Sequence, residues 1–111
     1  VDGNNRLLVY DFDDGTISAP LADAFAREQI STEMQGRATP LAGGDYMVEE
    51  TERGRLLRLA SDGSVRWRYI SADSKMQRFS LAWSRYLDPQ RDRQGIAAAQ
   101  NASCAAAPDL Q

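Results

Sequence analysis

Two Asp-Gly pairs, Asp14-Gly15 and Asp62-Gly63, interrupt short apolar runs, and that punctuation leaves few folds open to this chain. Asp-Gly between strand-like runs signals a hairpin, because both central residues of a type I′ turn need positive φ. The flanks agree. Residues 6–10 (Arg-Leu-Leu-Val-Tyr) precede the first pair, residues 55–59 (Arg-Leu-Leu-Arg-Leu) precede the second, and residues 65–69 (Val-Arg-Trp-Arg-Tyr) follow it. The last run alternates strictly, with Val65, Trp67 and Tyr69 on one face and Ser64, Arg66 and Arg68 on the other. A half-buried strand requires that period of two. Further breaks fall at Asp2-Gly3, at Gly43-Gly44 and at Gly54, which turns the strand read over 45–51 into the next. The pattern predicts an all-β fold of short antiparallel strands at 36–41, 45–51, 55–60 and 64–70. Two more are expected at 5–11 and 15–19, and another is expected to begin over 76–83.

Two stretches depart from the strand pattern. Ser18-Ala-Pro20-Leu21 reads as a helix start, and Leu21, Ala22, Phe25 and Ala26 recur at helical spacing, predicting a short helix over 20–29. Asp88-Pro89 reads as a second helix start. Beyond Gly95 alanine dominates, favouring helix but offering little apolar area, so the tail is expected to be helical, frayed or disordered. The organisation is thus a β segment over 1–87 and an Ala-rich tail over 88–111.

The two hairpin segments also echo each other. Arg6-Leu7-Leu8 recurs 49 residues on as Arg55-Leu56-Leu57, and Asp14-Gly15 recurs 48 residues on as Asp62-Gly63. The one-residue mismatch predicts a bulge or a longer loop in the first copy. A period near 48 made of short strands lies in the range of β-propeller blades, against chance similarity between two Leu-rich hairpins. On the blade reading, 36–70 is one four-stranded blade and 5–19 the last two strands of the blade before. So few blades cannot close a ring, which needs about four, and their faces would stay wet. The chain then reads as an excerpt of a longer protein or as a self-associating segment, incomplete as a monomer.

Composition removes several function classes. The 111 residues contain no histidine and one cysteine, Cys104. That excludes Ser-His-Asp and Cys-His pairs, an intrachain disulfide and a cysteine-rich zinc site. A net charge of −3 argues against a duplex nucleic-acid partner, which needs a basic face. No apolar run approaches the roughly 20 residues that span a bilayer, and no secretory signal pattern opens the sequence.

The run from Gly36 to Tyr69 carries a further likeness: a strand ending in acidic residues (Glu49, Glu50), a Gly54-Arg55-Leu56 strand, the Asp62-Gly63 turn and the Val65-x-Trp67-x-Tyr69 strand. In these beats the chain resembles the bacterial arylsulfotransferase-like β-propeller family, over residues 5–88, with Trp83-Ser-Arg-Tyr86 similar to that family's carboxy-terminal region. The resemblance implies a six-bladed parent, export from the cytoplasm, and transfer of a sulfuryl group between phenols without a nucleotide donor, carried on a histidine. This chain has no histidine for that step, so no catalytic residue is carried over.

Among chemically suggestive residues, Glu49 and Glu50 point to opposite faces of one strand and are expected, with Glu52, to be solvated and paired with Arg53 or Arg55. Asp11, Asp13 and Asp14 before Gly15 lack the full calcium-loop pattern and read as a turn, and no metal site is expected. Trp67 and Tyr69 read as packing between blades, Trp83 as core, and Cys104 as an inert thiol. Arginine outnumbers lysine 12 to 1, and its planar fork suits oxyanions; Arg37, at the start of an inner strand, is the candidate anion contact. The expected function is a non-catalytic structural or ligand-binding fragment of arylsulfotransferase-like descent, forming a homo-oligomer, with no cofactor, membrane or nucleic-acid partner. The alternatives are part of a full-length aryl sulfotransferase, or a small protein-interaction module using exposed strand edges.

Overall fold

The computed structural model describes residues 5–101. The order of elements is β1 (Val9–Tyr10), β2 (Ile17–Ser18), α1 (Ala22–Arg27), β3 (Gly36–Pro40), a 3₁₀ turn (Ala42–Gly44), β4 (Tyr46–Glu50), β5 (Arg55–Leu59), β6 (Val65–Ile70) and α2 (Arg93–Asn101). All strand pairs are antiparallel: β1–β2 is a separate two-stranded sheet, and β3-β4-β5-β6 is a four-stranded meander. The molecule is mostly strand with two helices, the all-β character expected. The Asp2-Gly3 break and Cys104 lie outside the described residues.

Register assigns each side chain to a face. Arg37, Glu49, Leu56 and Tyr69 line up across the four strands, as do Thr39, Met47, Arg58 and Trp67, on one face. Ala38, Val48, Leu57 and Arg68 line up on the other. That second face takes α1: Leu21, Ala24, Phe25 and Ile30 pack on Val48, Leu57 and Leu59 as one buried cluster, edged by Leu7, Ala38, Tyr46 and Val65. Val65 was expected beside Trp67 and Tyr69. The β5–β6 register shifts between Arg58, opposite Trp67, and Leu59, opposite Val65. The extra residue is Arg66, and this bulge sends Val65 to the core face and leaves Trp67 and Tyr69 on the opposite one.

Helix α1 is shorter than the 20–29 expected because its ends are closed locally. Its last turn finishes with Ile30 N–H on Phe25 O and Gln29 N–H on Ala26 O, and with Gln29 at φ 51. That is a Schellman closure, with the apolar contact between Phe25 and Ile30 that accompanies it. The helix also lies close over the β5–β6 turn. Arg27 Nη2 donates to Gly63 O at 2.6 Å, and a Cβ on Gly63 would stand 3.1 Å from the Ala24 methyl.

Neither Asp-Gly turn is the two-residue type I′ turn expected; of each pair only the glycine has positive φ. In the second, Gly63 N–H bonds Ala60 O and Ala60 N–H bonds Ser64 O. That is a three-residue loop, a type I turn followed by a left-handed glycine. Asp62 Oδ1 accepts Ser64 N–H at 2.8 Å, holding the turn from the side. The first turn repeats the device, Asp14 Oδ1 accepting Thr16 N–H at 2.8 Å, but its loop closes from Asp11 N–H to Thr16 O and is one residue longer.

No strand forms over 76–83. The chain there is a strap across the sheet face opposite α1, with a single bridge between Ala72 and Arg78. It lies close because of Gly54, at φ 58, where a Cβ would collide with the Phe79 carbonyl. Over β3 to β5 both sheet faces are therefore overlain by the chain itself, not left bare as expected of an isolated blade, whereas Trp67 and Tyr69 on the strap side of β6 stay exposed. Further apolar surface left in water lies on the β1–β2 hairpin (Tyr10, Phe12, Ile17), at Met34 and on residues 76–87 (Met76, Trp83, Leu87).

The second helix starts later than Asp88-Pro89 suggests. Asp88 Oδ1 accepts Gln90 and Arg91 N–H, closing a turn that leads into α2, no residue of which is buried. Among the described residues no helix is long and apolar enough to cross a membrane.

Candidate functional site

The residue singled out for anion contact, Arg37, is the second residue of the edge strand β3. It lines a cleft of about 350 Å³ together with Met34, Glu49, Thr51 and Trp83. Glu49 is its register partner, with carboxylate and guanidinium 3.8 Å apart. The same carboxylate accepts the backbone N–H groups of Trp83 (3.1 Å) and Ser84 (2.7 Å), and Arg37 Nη2 donates to the Ser84 carbonyl. Arg37 and Glu49 thus grip both sides of the strap's backbone as a neighbouring strand would. Arg37 Nε is buried without a hydrogen-bond partner. The cleft carries one charge of each sign, with the Trp83 indole, 74% exposed, at its rim.

Glu50, next in sequence, faces α1 and is fully buried, not solvated as expected. It accepts Ser31 N–H at 2.8 Å and is paired with Arg55 and, at 3.8 Å, with Arg53. Those arginines continue to the helix end: Arg55 Nη2 donates to Glu28 O at 2.9 Å and Arg53 Nη1 to Gln29 O at 2.8 Å. Two arginines that could have offered an oxyanion site are committed to fastening α1 to the sheet.

Glu52 is exposed and closes the loop before β3. The Thr32 hydroxyl, then the N–H groups of Gln35 (2.8 Å) and Met34 (3.2 Å), hold its carboxyl at about 2, below the ordinary 4.5. A carboxyl lowered by folding stabilises the fold above its unfolded value and loses that contribution as pH falls from about 4.5 through about 2. Glu52→Gln is therefore expected to flatten the fall in urea midpoint between pH 5 and pH 2. An unchanged slope would show that these bonds do not form in solution.

Asp45, at the other end of β4, gathers Arg66 (2.8 Å) and Arg58 (2.7 Å). The Arg66 hydrogen bond, and against dehydration that of Arg58, keeps its carboxyl below the usual range. Arg58 also stacks over the Tyr86 ring at 5.3 Å and donates to its hydroxyl. Asp11 and Asp14 accept backbone N–H groups of Asp13 and Thr16 and so build the hairpin loop. Among the described residues no three metal-ligating side chains are grouped.

Trp83, read from the sequence as core, is exposed, and Tyr69 is half exposed. Sequence reasoning missed the Glu49–strap clamp and Tyr86, because both act through residues 79–87, which carry no periodic pattern. What the arrangement can do chemically is hold chain against chain, since its buried carboxylates are spent on arginines and backbone N–H groups. No family model, no curated protein and no solved structure matches this chain.

Proposed function

We propose that this chain is a non-catalytic β segment of arylsulfotransferase-like propeller descent whose role is assembly, first of all with copies of itself. The observation that carries the reading is the apolar surface outside the core. Phe12 is 89% exposed and Ile17 65%, on a hairpin that no other strand among the described residues joins. A monomer rarely keeps such a cluster in water. The radius of gyration, 17.4 Å, also exceeds the about 13 Å of a compact 100-residue domain.

Descent from a blade repeat is supported by the four-stranded meander and by the matching Asp14–Thr16 and Asp62–Ser64 turn bonds. The interaction-module reading is favoured by the unpaired outer edge of β6, and the two readings join if that edge is where copies meet. Sedimentation velocity across a concentration series is expected to give particles at multiples of 12.3 kDa. A monomer at every concentration would overturn self-association.

A further inference from the structure

We infer that the β1–β2 hairpin of one copy adds its β1 edge, antiparallel, to the free β6 edge of a second copy, extending β3-β4-β5-β6 to six strands. The inference rests on the self-association reading and names its surfaces. By sequence echo and turn chemistry, β1 is the counterpart of β5, and β5 has a strand on each side, β4 and β6. β1 has only β2. A lone hairpin is marginal in water until a third strand or a helix joins it.

The meander has two end strands, and they are not equivalent. β3 ends in Pro40, which has no N–H to give, and residues 5–8 flank its outer side, pinned by Asn5 N–H on Ile30 O and by the Asn5 side chain on Thr32. β6 runs six residues without proline, and among the described residues no strand covers its outer edge.

Charge selects the same edge. Asp11, Asp13 and Asp14 form no ion pair among the described residues. Beside β6, four guanidinium groups (Arg27, Arg58, Arg66, Arg68) face three carboxylates: Asp45 and Glu28 as ion pairs, and Asp62, which is close enough to Arg66 to feel its charge. The β6 side keeps an excess of one guanidinium and the hairpin tip carries three carboxylates unpaired among the described residues, a complementarity that favours this edge. Tyr10 and Phe12, packed edge to face at 4.8 Å, would meet the exposed Trp67 and Tyr69.

The test is hydrogen–deuterium exchange read by mass spectrometry at low and high protein concentration, with sedimentation, on the wild type and on F12S/I17T. Both substituted side chains lie in water, so the far-UV spectrum should not change. For the wild type, exchange over 65–70 is expected to slow as oligomer forms. F12S/I17T is expected to stay monomeric and lose that protection. Asp13→Arg, which touches only the charge, is expected to weaken association about tenfold. Protection along 36–40 instead of 65–70, or full association of F12S/I17T, overturns the pairing while self-association stands. A monomeric wild type brings down both.

Discussion

Glu50→Ala is expected to lower unfolding stability by about 3–5 kcal/mol, the range for removing one partner of a buried ion pair. The carboxylate is fully buried, and its loss would strand Arg55, whose side chain is 14% exposed, together with the Ser31 N–H. Small domains hold about 5–15 kcal/mol in all, so the variant should sit near its unfolding transition at room temperature. Urea denaturation followed by circular dichroism reads this directly. A shift under about 1 kcal/mol would mean that Glu50 is hydrated in solution and that the α1–β4 fastening is not as described. Glu50→Gln keeps an acceptor for Ser31 but leaves Arg55 without a counter-charge, so it should still show most of the destabilisation.

Leu57→Ala is the second large effect, expected at about 2–5 kcal/mol. Leu57 is fully buried in the middle of β5, between register partners Val48 and Arg68 and beneath α1. Truncation removes apolar contact and leaves a cavity between a rigid sheet and a six-residue helix that can follow it only partly. Leu57→Met, close in volume, should cost less than about 1.5 kcal/mol. Equal losses for Ala and Met, measured in the same denaturation experiment, would place Leu57 outside a packed core.

The meander was legible because its signals are local: alternation at 65–69, the Gly54 and Asp62-Gly63 turns and the apolar runs gave four strands within a residue or two of their observed limits. Helix α1 was legible from Leu21 and Phe25, but its end depends on Gln29 taking a left-handed conformation that nothing in the residue type announces. The faces of β6 were misread in part, since a one-residue bulge at Arg66 reverses alternation without leaving a mark in the sequence. The divergence of Glu49 and Glu50 followed from strand geometry alone. Their burial did not, because it depends on partners 19 and 35 residues away, Ser31 and Ser84. Arg37 was placed on a strand end correctly, whereas its pairing with Glu49 is a matter of register that only the fold supplies.

The way residues 79–87 are attached sets them apart from everything beneath. Their grip on the sheet is Leu81 N–H on Thr51 O, the bonds at Glu49 and Arg37, and the Arg58–Tyr86 contact, with no continuous ladder. A segment held by so few bonds is expected to open below the free energy of global unfolding, with amide exchange at Leu81, Trp83 and Ser84 faster than along β4 and β5. The molecule is thus a rigid palm with a leaf laid over its back. Peeling the leaf would bare Met47 and the Arg37–Glu49 pair while leaving the α1 side in place.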